Sequence, residues 1–143
     1  MKKILIVNAN YYSSISLNLI AKCKEKLKSY NFKISIVHAP GCFEIPILIS
    51  KNIKKFDGFV ALGCLIKGET PHFDLISKAT FEALIQISVI HKKPIGNGII
   101  TALNKRQAIN RSSLKKRFFK PNKGIEAANA VISVLINEPK ITK

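Results

Sequence analysis

Four runs rich in Ile and Val, Ile4–Asn8, Lys33–His38, Gly58–Ile66 and Pro94–Ala102, alternate with stretches of helical spacing. The first and third runs are nearly continuous in apolar residues. Strands read this way when a parallel sheet buries both of their faces. Between and after the runs, Leu17, Ile20, Cys23 and Leu27 keep a helical period, as do Ile76, Ala79, Ala83, Ile87 and Ile90, and Ile125, Ala128, Ile132 and Leu135. A shorter helix is expected over Ile45–Ile53, with Pro46 in its first turn, and another over Asn104–Arg111. The alternation predicts an α/β fold: an open, parallel four-stranded sheet, doubly wound by right-handed crossovers, with helices on both faces. No internal repeat and no linker divides the chain, so residues 1–143 read as a single domain.

Open α/β sheets bind ligands at the carboxyl ends of their strands. That singles out Ala9–Ser14, Pro40–Glu44, Lys67–His72 and the turn after Thr101. The third loop carries the clearest signal, Gly68-Glu69-Thr70-Pro71-His72-Phe73-Asp74. A strand that stops at glycine, followed by a Thr-Pro pair opening a helix, leaves backbone N–H groups facing solvent and ready for an anion. His72 falls in the first helical turn, placed to move protons beside a bound phosphate. These residues suggest an enzyme acting on a small phosphorylated substrate. The plainer alternative, Thr70 as an ordinary N-cap and His72 as a surface histidine, stands beside it. Tyr11 is suited to stacking on a planar heterocycle, although a surface aromatic packed on its own helix explains it as simply. Glu44 is either an acid favoured by a helix dipole or part of a turn at Gly41 that meets a polar ligand. Arg111 and Lys123 are each ordinary surface cations; together they suit a phosphate, as a bidentate fork and a point charge.

The formal charge of +16 raises the question of nucleic acid. Two features weigh against it. The excess is lysine spread along the chain, with Arg106, Arg111 and Arg117 as the only arginines, whereas base readout leans on arginine. Lysine, isoleucine and asparagine are also abundant together, as an AT-rich genome would produce. The one dense cluster, Lys115-Lys116-Arg117-Phe118-Phe119-Lys120, reads more simply as a solvated loop. Cys23, Cys42 and Cys64 are odd in number and far apart, which argues against a disulfide framework and a zinc site. Cys23 belongs to a helical core, whereas Cys42 and Cys64 flank the loops above. No apolar stretch reaches the ~20 residues of a spanning helix, and Met1–Asn8 reads as a first strand rather than a leader. A cytoplasmic protein with no membrane partner is expected.

The segments PGCFEIP at 40–46, ALGCLIKGETPHFD at 61–74, QAINR at 107–111 and NKGIEAA at 122–128 closely resemble the lumazine synthase family. Their order and spacing fit along almost the whole chain. The resemblance implies a flavodoxin-like fold and a step of riboflavin biosynthesis that needs neither cofactor nor metal. In that step, 5-amino-6-(D-ribitylamino)uracil condenses with 3,4-dihydroxy-2-butanone 4-phosphate, giving 6,7-dimethyl-8-ribityllumazine, phosphate and water. By position, His72 matches the family's proton-transfer histidine. Glu69 and Thr70, with backbone N–H groups and Arg111, match the phosphate site, and Tyr11 the aromatic that stacks on the pyrimidine. Cys42, Phe43 and Glu44, with Cys64, Leu65 and Ile66, match segments holding the pyrimidine and ribityl chain. Lys123 matches a lysine near the pyrimidine, and Asn97 falls where many members have a Phe lent to the neighbouring subunit's site. Tyr12, Lys67, Asn97 and Leu103 depart from the residues usual at their positions, commonly Asn, Arg, Phe and an acid.

The family assembles as pentamers, decamers or sixty-subunit shells. This chain begins at its first strand and carries a longer basic segment, Ser112–Pro121. With like-charge repulsion these favour a pentamer or decamer over the shell. Two other classes are weighed against the enzyme. A flavodoxin-like flavin carrier would share the fold and use the polar loop Asn8–Ser16, but leaves His72 and Arg111 without a purpose. A nucleic-acid module would rest on charge alone and is disfavoured.

Overall fold

The computed structural model describes residues 1–115, 121–138 and 140–142. Most of the basic cluster at Lys115–Lys120, and the middle of the Ser112–Pro121 segment, therefore lie outside the described residues. Four strands, β1 (Lys2–Ala9), β2 (Phe32–Ala39), β3 (Gly58–Ile66) and β4 (Ile95–Ala102), pair in parallel in the order β2-β1-β3-β4. The helices are α1 (Ser13–Lys28), α2 (Ile45–Lys51), α3 (His72–His91), α4 (Lys105–Arg111) and α5 (Lys123–Leu135), with one turn of 3₁₀ helix at Cys42–Glu44 leading into α2. This is the expected flavodoxin-like α/β arrangement.

Alternation along the central strands feeds two cores. Ile4, Ile6, Val60, Leu62 and Ile100 face α1 and α5, against Ile15, Leu19, Cys23 and Leu27 on one helix and Ala127, Ala128, Val131 and Ile132 on the other. Leu5, Val7, Phe59, Ala61 and Ile99 face the opposite way, toward Ile45 and Ile49 of α2 and Leu84 of α3. Phe59 is fully buried, a contribution of about 1.5–3 kcal/mol. The expected face of α1 needs one correction. Leu17 is exposed, and Leu19 takes the core position instead. Stepping back four residues at a time from Leu27 through Cys23 reaches Leu19, whereas Leu17 points elsewhere.

α3 is covered on one side only. Thr80 and Leu84 are buried, whereas Leu75, Ile85, Val89 and Ile90 are exposed. At about 100° per residue the exposed set lies across the helix from the buried pair. Ala79 and Ile90, expected on the core face, are among its exposed residues.

Candidate functional site

β1 has β2 on one side and β3 on the other, so successive crossovers leave it in opposite directions. The carboxyl end of β1 is therefore a topological switch point, where the loops separate and leave a crevice. A cleft of about 500 Å³ opens there, lined by Tyr11, Tyr12, Gly41, Cys42, Phe43, Glu44, Cys64, Leu65, Ile66, His72 and Ile76. Its size is ordinary for a small-molecule site.

Local bonds fix its walls. The Ser16 hydroxyl donates to the Ala9 carbonyl at 2.9 Å, and Asn10 N–H donates to the Ala39 carbonyl at 3.0 Å. Both hold the turn that presents Tyr11 and Tyr12. Tyr12 is half-buried against the core, and its ring meets that of Tyr11 edge-on, with centroids 4.9 Å apart and planes at 82°. Tyr11 and Phe43 stay 76% and 59% exposed, leaving large aromatic surfaces free at the rim. Glu44 reaches back over Gly41, where a Cβ would lie only 3.3 Å from its Oε1. Cys42 and Cys64 are buried free thiols. Burial pushes them up to about 12 and about 11, so both are protonated at neutral pH.

The loop 67–71 is exposed throughout, and nothing stands within 4 Å of a Cβ added at Gly68. Here the expected N-cap shifts. Pro71 occupies the cap position, α3 begins at His72, and the Thr70 hydroxyl accepts from His72 N–H at 3.5 Å without capping as such. Proline lacks an N–H and fixes its φ, so the helical ladder starts after it. The N–H groups of the first turn remain open to solvent beside His72.

The remaining candidates are elsewhere. Asn97, Arg111 and Lys123 line a second cleft of about 380 Å³ with Phe81, Ile99–Ala102 and Gln107, at the carboxyl end of edge strand β4. The two clefts share no lining residue. Within one chain Arg111 and His72 thus line different clefts. The second cleft is built by a well-capped α4, whose Asn104 Oδ1 accepts from Gln107 N–H at 3.0 Å, and by the start of α5, where Asn122 Oδ1 accepts from Gly124 N–H at 2.7 Å. Asn97 turns its Oδ1 to Ile99 N–H at 3.1 Å.

One residue that holds the cations of this cleft, without lining it, escaped the sequence reading. Glu126 Oε2 accepts from Arg111 Nη2 at 2.6 Å, and its Oε1 from Lys123 Nζ at 3.1 Å. Arg111 Nη1 also donates to the Pro121 carbonyl. Burial by itself would raise the Glu126 carboxyl, but the hydrogen bonds from Arg111 and then Lys123 outweigh it and hold the group below the usual glutamate value. The signal was a glutamate one turn after Lys123, visible but read only as helix. Among the described residues, no group of His, Cys, Asp or Glu is disposed to hold a metal ion, and no helix is long and apolar enough to cross a membrane.

A crevice at the switch point with a histidine at its mouth, and a second cleft lined by cations, fit an α/β enzyme of small-molecule substrates. The family model of 6,7-dimethyl-8-ribityllumazine synthase matches residues 1–137. Proteins of that name from Methylocella silvestris, Bartonella bacilliformis and Novosphingobium aromaticivorans are 39%, 37% and 34% identical. The matches cover 91%, 92% and 94% of this chain and 81%, 87% and 95% of the relatives. The chain belongs to the 6,7-dimethyl-8-ribityllumazine synthase family, the transferases that make this lumazine in riboflavin biosynthesis.

Proposed function

We propose that the two clefts are complementary halves of one lumazine synthase site, joined between neighbouring copies of this chain. The observation that carries this reading is their separation: one cleft has the histidine and the aromatic rim, the other the cations. A contact between copies is supported by the uncovered apolar side of α3 and by the groove it forms with β4, lined by Phe81, Leu84, Ile85 and Ile95. Burial of such a face is what an obligate interface requires.

In the joined site, Tyr11 stacks on the pyrimidine. The segments at Cys42–Glu44 and Cys64–Ile66 hold the ring and ribityl chain, and Lys123 and Asn97 close over it from the neighbour. The loop Gly68–Pro71, with Glu69 and Thr70, and the neighbour's Arg111 grip the phosphate of the butanone. The amine of the pyrimidine attacks the ketone carbonyl, forming a C–N bond, and water departs. His72 relays protons as phosphate is eliminated to leave a second carbonyl. The ribitylamino nitrogen attacks that carbonyl, closing the second ring with loss of a second water. Holding both reactants in register supplies most of the acceleration, and the relay the rest. The assembly is a pentamer or decamer in the cytoplasm, a reducing compartment consistent with three unpaired thiols.

The test mixes purified protein with the two substrates and follows lumazine absorbance against the uncatalysed reaction. Wild type accelerates it, and His72→Ala lowers kcat by an order of magnitude or more. Arg111→Ala raises KM for the phosphorylated ketone. No acceleration by an assembled protein overturns the reading, and sizing above ten subunits overturns the assembly.

A further inference from the structure

With 24 basic and 8 acidic residues, carboxylates are scarce in this chain. Of the ion pairs among the described residues, Lys22–Glu25 lies on α1, and the other two both converge on Glu126. The cations that Glu126 holds are not spare surface groups. The side chains of Arg111 and Lys123 are only 21% and 22% exposed, and both line the cleft at the end of β4. We propose that Glu126 is a positioning residue for both substrates, aiming the guanidinium and the ammonium into the site from a single carboxylate. This rests on the roles given above to Arg111 and Lys123.

The geometry divides the work cleanly. Each carboxylate oxygen takes one cation, Oε2 the arginine and Oε1 the lysine. Arg111 is held from a second direction through Nη1 and the Pro121 carbonyl. Two of its nitrogens are thus tied, and the donors left over on the planar fork face a fixed direction. A guanidinium fixed in this way loses less freedom when a phosphate arrives. Lys123 has four rotatable bonds, and the contact to Oε1 selects among their conformers. The anionic charge also offsets repulsion between two cations sharing one small cleft. Loss of the carboxylate therefore disorders two subsites at once, although it touches neither substrate.

That double effect separates positioning from a general loss of packing. In Glu126→Gln, nearly isosteric and uncharged, KM for both substrates rises by about fivefold or more while kcat stays within about twofold of wild type. Glu126→Asp recovers part of the loss for each. Glu25→Gln, which removes the ion pair on α1, is the control and leaves both KM values at wild type. Melting and sizing run beside the kinetics, and Glu126→Gln keeps the wild-type assembly. KM values for both substrates within twofold of wild type in Glu126→Gln overturn the proposal, as does a fall in kcat alone. Arg111→Ala and Lys123→Ala distinguish the two layers of the argument. If each raises KM for its own substrate while Glu126→Gln changes neither, only the positioning role fails. If neither alters KM, the substrate roles of the cleft fail and the role of Glu126 falls with them.

Discussion

Cys42 and Cys64 line the cleft that holds His72, yet burial keeps both as thiols. Their folded values of about 12 and about 11 stand above the ordinary value of 9.0. A raised thiol contributes stability that is complete below the unfolded value and is lost as pH climbs toward the folded one. The expected window of loss thus opens near pH 9 and extends past 11. Melting temperature should fall across that window, and fall less steeply in a Cys42→Ala, Cys64→Ala double variant. Equal slopes in the two proteins would show that the thiols are not the source. At this scale the sequence was legible where chemistry comes from a loop: Cys42, Phe43, Glu44 and His72 do share one cleft. It misplaced the cap of α3 by one residue and passed over Glu126. The first follows from the missing N–H and fixed φ of Pro71, the second from where a side chain points after the backbone is set, and periodicity encodes neither.

At the level of elements, β3 runs over Gly58–Ile66 as expected, because a strand buried on both faces is a continuous apolar run. The α1 face was read around Leu17 because several apolar residues compete for the stripe, and only packing against α5 and β3 selects Leu19. α3 was harder still. Apolar residues on both of its sides blur the period, one set serving the sheet and the other left uncovered in the single chain. The approach of α5 to β4 is governed by Gly96. A Cβ there would drive into the Ala127 carbonyl oxygen and stand 3.0 Å from Val131 Cγ2. Helix backbone cannot step aside as a flexible side chain can. Gly96→Ala should destabilise by about 1–3 kcal/mol through overpacking, measured by chemical denaturation. Because α5 carries Lys123 and Glu126, the same change should also weaken substrate binding. A variant as stable as wild type would mean that the helix shifts at no cost.

On the scale of the whole molecule, the proposed site divides its parts between two clefts of one chain. His72 and Arg111 sit in clefts with no common lining residue, and the proposed site draws one cleft from each of two copies. Subunit mixing can test this without a structure of the assembly. His72→Ala and Arg111→Ala homo-oligomers are each impaired, because every junction repeats the same defect. Co-assembled at equal proportions, a junction is intact when one copy supplies His72 and its neighbour supplies Arg111. Random mixing in a closed ring makes about a quarter of the junctions intact. The mixed assembly should therefore recover about a quarter of wild-type activity, with wild-type KM values at the recovered sites. If both groups acted from one chain, mixing would restore nothing, because every chain carries one lesion. The presence of recovery thus decides whether this fold completes its chemistry alone or only beside a copy of itself, and its magnitude checks that one His72 and one neighbouring Arg111 suffice for each junction.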